Sequence, residues 1–217
     1  MKKLDVAVVD YGMGNLRSVH KALAHVAPEA RIEITADAQA VRDAHRVVVP
    51  GQSAMPDTMA ALNASGLREA VIEAAATKPF LGICLGLQML FGESAEGPTS
   101  CLGVFPGDVI RFDPERMIDA TGRRQKVPHM GWSPVRQHRA HPLWDGIADD
   151  TRFYFAHSYF PVVQDSTLIA GTVAYPDARQ PFTCAIGRAT LFAVQFHPEK
   201  SSTAGLRLLA NFVSWNA

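Results

Sequence analysis

The sequence lacks the features that mark several large classes of protein. Its 21 Lys and Arg residues balance 21 Asp and Glu residues, so no excess charge attracts nucleic acid or an anionic membrane surface. It has no apolar run of the roughly 18 residues that a membrane-spanning helix needs. The first apolar segment is interrupted by Asp5 and Asp10, which indicates a buried strand and not a signal peptide. We therefore expect a cytoplasmic protein that binds neither nucleic acid nor membrane.

Cysteine is also scarce. The three cysteines, Cys84, Cys101 and Cys184, are widely spaced and form no CxxC pair, which argues against a disulfide framework and a zinc cage. No His, Cys, Asp or Glu residues recur at a metal-ligand spacing, so we predict no metal and no cofactor. The 217 residues suit one domain that spans the chain from 1 to 217.

The pattern of apolar residues predicts an α/β fold. In the first half, strand-like runs such as "LDVAVVD" and "RVVVPG" alternate with helical patterns, which is typical of a central, mostly parallel sheet flanked by helices. From about residue 100, Pro and Gly punctuate short runs such as "VIRF" and "TRFYFAHSYF". These runs indicate antiparallel additions to the same sheet in the second half.

Cys84 occupies an unusual position between Gly82 and Gly86. It follows the apolar run "FLGIC" and precedes "LGLQMLFGES", which we predict to be a helix. A strand, Gly-x-Cys-x-Gly and a helix form the layout of a nucleophile elbow. The glycines permit a sharp turn, and the N-terminus of the helix would favour a thiolate and aim the N–H of Leu85 at a developing oxyanion. The alternative is a buried apolar cysteine, which is our interpretation of the other two cysteines, Cys101 and Cys184.

A thiolate nucleophile needs a base and a group that orients the base. The late segment "HPEK" offers His197 and Glu199, and residues i and i+2 of an extended segment point the same way. Cys84, His197 and Glu199 therefore form a candidate triad, with a solvated strand end as the alternative. His129 and His157 are rival histidines, but neither has a carboxylate at i+2, and we interpret them as pocket or interface residues.

Several separated motifs carry a family resemblance. "VVDYGMGNLRSV", "VPHMGW", "FYFAHSY" and "VQFHPEKSS", together with the elbow, resemble the class I glutamine amidotransferases, and within them the family of glutaminase subunits of imidazole glycerol phosphate synthase. The resemblance implies that Cys84 attacks the side-chain amide of glutamine, that His197 is the base, and that Glu199 holds it. It also implies three substrate-binding positions: Gln88, Ser158 and Tyr159.

The resemblance further implies an oxyanion hole made by two backbone N–H groups. One would come from Leu85 and the other from the strand end at Gly51 and Gln52. The family's usual run at this strand end is Pro-Gly-Val-Gly, whereas this chain has Gln52 and Ser53 after Gly51. The resemblance implies that the peptide at position 52 flips when the partner is stimulated. A non-glycine residue at position 53 restricts the backbone angles available there, so we do not assume that this flip occurs.

The resemblance implies a partner protein, because a glutaminase domain of this length leaves nothing to consume the ammonia. The partner would be a (β/α)8-barrel cyclase, joined in a heterodimer and supplied with ammonia through a tunnel. Four residues would lie at the interface: Asn15, Trp132, Tyr154 and Lys200. Two alternatives stay open. One is a glutaminase that serves anthranilate, aminodeoxychorismate or guanylate synthesis, and the other is a catalytically silent interaction module.

Overall fold

The computed structural model describes residues 4–177 and 179–216. The strands are β1 (Val6–Val9), β2 (Ile32–Thr35), β3 (Arg46–Gly51), β4 (Phe80–Cys84), β5 (Glu93–Ser94), β6 (Thr99–Ser100), β7 (Gly107–Arg111), β8 (His129–Gln137), β9 (Thr151–His157), β10 (Tyr159–Val163), β11 (Ile169–Ala174), β12 (Pro181–Arg188) and β13 (Leu191–Val194). The helices are α1 (Leu16–Val26), α2 (Ala38–Asp43), α3 (Met55–Ala64), α4 (Arg68–Thr77), α5 (Leu85–Gln88) and α6 (Ser202–Ser214).

A nine-stranded sheet in the order β2-β1-β3-β4-β13-β12-β11-β8-β9 forms the centre of the molecule. The five strands from β2 to β13 run parallel, and the strands from β13 to β9 pair antiparallel. Helices cover both faces of this half of the sheet, which explains why β1, β3, β4 and β13 are almost entirely apolar. The predicted α/β fold, with antiparallel additions in the second half, is confirmed.

A second, four-stranded sheet in the order β10-β7-β5-β6 is not hydrogen-bonded to the first but packs against it through Phe160 and Phe182. It contains "VIRF" and the second half of "TRFYFAHSYF", which we had expected to extend the main sheet. The reason is Ser158, which interrupts the run between β9 and β10 and whose carbonyl accepts a hydrogen bond from the N–H of Phe112. The chain turns at this residue from one sheet to the other.

Two apolar clusters pack against opposite faces of the main sheet. Along β1, Ala7 and Val9 belong to one cluster, together with residues of α3 and α4. Val6 and Val8 belong to the other, with residues of α1 and α6. Because side chains alternate along a strand, β1 contributes to both layers and is fully buried. None of the helices in residues 4–177 and 179–216 has the length and apolarity needed to cross a bilayer.

Candidate active site

Cys84 is the last residue of the central strand β4. It lies at the end of the sheet where the carboxyl ends of the neighbouring strands β3 and β13 also lie. Its backbone has φ 56° and ψ −108°, a conformation that is costly for any residue with a Cβ. The helix that follows is shorter than we predicted, because α5 ends at Gln88. One helical turn carries only a small macrodipole, so the stabilisation of a thiolate falls mainly to neighbouring side chains.

Two glycines allow β3 and the elbow to touch. A Cβ on Gly86 would lie 1.9 Å from the carbonyl oxygen of Val49, and a Cβ on Gly51 would lie 2.6 Å from the Cβ of Leu85. Real Cβ atoms do not approach other atoms so closely, so neither position accepts a side chain without movement of the backbone. The absence of these side chains allows the strand end at Gly51 to pack directly against the elbow at Leu85 and Gly86.

The structure places His197 in hydrogen-bond contact with Glu199 and with Cys84. The Nδ1 of His197 lies 3.0 Å from the Oε1 of Glu199, and both side chains are almost completely buried. Nδ1–H therefore donates to the carboxylate, which leaves Nε2 for the hydrogen bond to Cys84. Glu199 lies in a 3-10 turn, Pro198–Lys200, so the extended backbone that we assumed is wrong although the contact forms.

The charge of His197 is set by its neighbours. Burial on its own would lower the pKa of His197, but attraction to a Cys84 thiolate and the hydrogen bond and charge of Glu199 raise it to about 10. The arrangement therefore favours the protonated form of His197 next to the sulfur of Cys84. Such a pair supplies a nucleophile and, next to it, a proton for a leaving group.

A pocket of about 250 Å³ opens beside Cys84. Seven residues that we predicted from the sequence line it: Gly51, Gln52, Cys84, Leu85, Gln88, Ser158 and Tyr159. His157, which we interpreted as a pocket or interface residue, also lines it. The volume suits a small polar molecule with one end held at the thiol.

Gln88 lines the pocket and makes hydrogen bonds to a backbone carbonyl and to the side chain of a second glutamine. Its Nε2 donates to the carbonyl of Tyr159 at 2.9 Å and to the Oε1 of Gln195 at 3.0 Å. Its Oε1 is buried and makes no hydrogen bond to another described residue. Since buried polar atoms are normally paired, this oxygen is available to a donor group on a bound substrate.

Glu96 is a pocket residue that the sequence did not reveal. Its Oε2 accepts the N–H of Met55 at 2.8 Å, and its side chain lines the pocket. A glutamate in the loop "ESAEGPTS" looks like a solvated surface residue, so no local pattern marks it. Its carboxylate supplies negative charge suited to a substrate ammonium group.

Tyr11 holds the end of β3 through a hydrogen bond to its backbone. Its buried hydroxyl donates to the carbonyl of Pro50 at 2.6 Å and lies next to Gly51. Burial raises the pKa of Tyr11 strongly, and the nearby charges of Cys84 and Asp10 raise it further. The phenol therefore stays protonated and acts as a permanent donor to the strand.

His129 and His157 form a buried, neutral hydrogen-bonded chain. His157 donates from Nδ1 to the carbonyl of Tyr159 at 2.8 Å, so its Nε2 accepts from the Nδ1 of His129 at 3.2 Å. The Nε2 of His129 in turn accepts from the hydroxyl of Ser133 at 2.8 Å. Burial lowers the pKa of His129 to about 4, and burial and the neighbouring His129 lower that of His157 to about 3. These histidines position the Tyr159 carbonyl.

The four predicted interface residues are all exposed or half-buried. Trp132, on β8, is 46% exposed and pairs across the strands with Tyr154, with ring centroids 6.1 Å apart. The carbonyl of Tyr154 accepts the N–H of His197 at 2.9 Å. Lys200 is exposed directly after Glu199, and half-buried Asn15 precedes α1 without capping it.

The other two cysteines lie outside the pocket and are buried and free. Burial raises the pKa of Cys101 to about 11 and that of Cys184 well above its ordinary value, so neither is poised as a thiolate. The part of the chain that the structure describes contains no group of three or more His, Cys, Asp or Glu side chains placed to hold a metal.

Comparison with known families identifies the fold and its chemistry. The family model described as glutamine amidotransferase class-I matches residues 7–215. The chain belongs to the class-I glutamine amidotransferase family. The structural likeness agrees with this: a solved glutamine amidotransferase superposes with a TM-score of 0.68 at 18% identity, covering 95% of this chain and 96% of that one. PurLQS from Thermotoga maritima gives a TM-score of 0.65 at 16% identity, covering 97% and 98%.

Curated relatives of this amidotransferase are much more similar in sequence. The imidazole glycerol phosphate synthase subunit HisH of Nitrosospira multiformis is 60% identical over 213 residues, which cover 97% of this chain and 98% of the relative. The subunits of the same name from Thiobacillus denitrificans and Dechloromonas aromatica are 57% and 60% identical, covering 98% and 97% of this chain and 92% and 96% of the relatives. The chain is thus an enzyme of the glutaminase type.

Proposed function

We propose that this chain is the glutaminase subunit of an imidazole glycerol phosphate synthase, which hydrolyses glutamine and passes the ammonia to a cyclase subunit in histidine biosynthesis. The observation that carries the proposal is the buried arrangement of Cys84, His197 and Glu199, in which Cys84 lines the pocket. The high identity to relatives named as this subunit, over nearly the whole chain, supports the choice of pathway.

The pocket residues suit the three polar groups of glutamine. The side-chain amide reaches Cys84, and the carboxylate of Glu96 attracts the α-ammonium group. The free Oε1 of Gln88 accepts a hydrogen bond from the substrate. Ser158 and Tyr159 border the other side of the pocket and bind the amino-acid end.

The first half of the reaction forms a thioester. His197 takes the proton of the Cys84 thiol, and the thiolate attacks the amide carbon of glutamine. The N–H of Leu85 and a backbone N–H at Gly51 or Gln52 stabilise the resulting oxyanion. As the intermediate collapses, the C–N bond breaks and His197 gives its proton to the departing nitrogen, which leaves as ammonia. The raised pKa of His197 keeps this proton in place until it is needed.

The second half restores the enzyme. Water attacks the glutamyl thioester while His197 accepts one of its protons, and the C–S bond breaks to release glutamate. The proton stays on His197 beside the released sulfur of Cys84, as it was before glutamine bound. Glu199 keeps the imidazole oriented in both halves through its hydrogen bond to Nδ1. No cofactor takes part in these steps.

The partner is a (β/α)8-barrel cyclase that docks over the mouth of the pocket. Trp132 and Tyr154 supply an aromatic centre of the kind that dominates protein interfaces, and Lys200 and Asn15 supply polar contacts around it. Ammonia released at Cys84 is protonated and lost in bulk water, so a sealed path into the barrel makes its transfer efficient.

The glutaminase is tested by glutamate release from glutamine, measured for the chain alone and with the cyclase and its nucleotide ligand. We expect stimulation by the cyclase, loss of activity in Cys84→Ala and retention of activity in the matched control Cys101→Ala. Retained turnover in Cys84→Ala would exclude the thioester mechanism. A cyclase without effect on the wild-type chain would exclude the partner.

The docking face has its own test. Trp132→Ala should weaken binding of the cyclase at least about tenfold by calorimetry, as removal of an interface anchor commonly does. Val162, which is 44% exposed on the smaller sheet, provides the control Val162→Ala. An equal affinity of the two variants would place the interface elsewhere.

A further inference from the structure

Gln195 lies directly behind the nucleophile. It follows β13 and is completely buried, with its backbone N–H donating to the carbonyl of Cys184 at 2.8 Å. Its side-chain Nε2 lies 3.6 Å from the Sγ of Cys84, and its Oε1 accepts the hydrogen bond from Gln88. The amide therefore joins the sulfur to the residue that faces the substrate.

The orientation of both amides is fixed by the main chain. The carbonyl of Tyr159 can only accept, so the NH₂ group of Gln88 must face it. The second N–H of that NH₂ group then points at Gln195, whose oxygen must be the atom that receives it. The NH₂ group of Gln195 is left facing the sulfur. Flipping the amide of Gln88 would bring two acceptors together at Tyr159, and flipping that of Gln195 would bring two donors together at Gln88.

We propose that Gln195 is a catalytic residue that donates a hydrogen bond to the Cys84 thiolate and holds it ready for attack. The proposal rests on the proposed glutaminase function and adds a residue to it. An amide N–H favours the charged form of the sulfur but is far too weak an acid to protonate it, so it does not quench the nucleophile. His197 moves the proton, and Gln195 stabilises the anion that remains. The hydrogen bond from Gln195 is the more important because α5 has a single turn, whose small dipole stabilises a thiolate only weakly.

The test uses Gln195→Glu, which keeps an oxygen for Gln88 and replaces the donor with an acceptor. Alkylation of Cys84 by iodoacetamide is followed against pH by mass spectrometry of its peptide, in the chain alone and in the cyclase complex. A charge-assisted hydrogen bond predicts that the pH midpoint of alkylation rises by about one unit. The glutaminase kcat at neutral pH should fall about tenfold, with a smaller change in KM.

Two further variants separate a chemical effect from a structural one. Gln195→Met removes both hydrogen bonds at similar volume and should shift the midpoint in the same direction. Gln137→Met is the matched control, because Gln137 also loses two hydrogen bonds, to the carbonyls of Ile147 and Ala148, far along β8 from the thiol. It should leave the midpoint and kcat at their wild-type values.

The proposal is overturned if the midpoint in Gln195→Glu and Gln195→Met equals that of the wild type, whether or not kcat falls. A lower kcat with an unchanged midpoint assigns Gln195 a packing role. This outcome is distinct from failure of the glutaminase function itself, which would appear as turnover in Cys84→Ala. Alkylation needs no glutamine, so it reports on the thiolate in either case.

Discussion

The buried His129 makes the stability of the protein fall in acid by an amount that the structure allows us to work out. Its folded-state pKa of about 4 lies below the ordinary value of 6.5 because burial disfavours the charged ring. The stability from this group is therefore complete above pH 6.5 and is lost as pH falls toward 4. At pH 5 the unfolded chain binds a proton that the folded chain does not, which costs about 2 kcal/mol relative to pH 8.

The variant His129→Gln isolates this effect. A glutamine side chain can still donate toward His157 and accept from Ser133, but it does not titrate. Urea unfolding followed by tryptophan fluorescence at pH 8 and pH 5 gives the free energy of unfolding for each chain. We expect the loss of stability between the two pH values to be about 2 kcal/mol smaller in the variant than in the wild type.

A surface histidine provides the control for the same comparison. His25 is exposed on α1, and His25→Gln should lose as much stability between pH 8 and pH 5 as the wild type. If His129→Gln also loses as much as the wild type, His129 is not held neutral by burial, and the direction of the hydrogen-bonded chain to Tyr159 must be reassigned.

Two more predictions concern the support of the nucleophile. Gly86→Ala forces a Cβ to within 1.9 Å of the carbonyl oxygen of Val49, so Tm should fall by at least about 8 °C in a thermal melt, while Gly92→Ala, whose Cβ would meet no atom closer than 3.4 Å, should cost far less. Tyr11→Phe removes the 2.6 Å hydrogen bond to Pro50 and should lower both the free energy of unfolding, by about 1 kcal/mol, and the glutaminase kcat. A loss of stability with an unchanged kcat would show that the hydroxyl only holds the fold together.

The sequence predicted the parallel half of the sheet because its strands are apolar on both faces. It did not reveal β8, since Gly131 and Pro134 interrupt the run and its exposed side chains hide the alternation. It also missed α2, which has only six residues and one buried side chain, Val41. Elements that are short or half-exposed leave only a weak periodic pattern in the sequence. Their conformation is decided by the parts of the fold against which they pack.

In the candidate site, too, some residues are marked by short patterns in the sequence and others are brought to the site only by the fold. The elbow at Cys84 and the pair His197 and Glu199 follow from patterns a few residues long. Glu96 reaches the site from a loop that carries no chemical pattern, and Gln195 lies in the quoted run "VQFHPEKSS" but contacts Cys84 only because the fold places β13 beside β4. The length of α5 could not be predicted either, since apolar residues continue past Gln88 while the chain has already turned.

The backbone angles of Cys84 have a consequence for the evolution of the protein. A φ of 56° with ψ of −108° costs of order 1–3 kcal/mol in a residue with a Cβ, and replacement by Ala or Ser retains that cost. Only glycine would relieve the strain, and glycine has no thiol. Selection for turnover therefore keeps a residue at this position that is not the most stable one. The strained backbone lowers the free energy of unfolding, and burial in the two apolar layers must offset that loss.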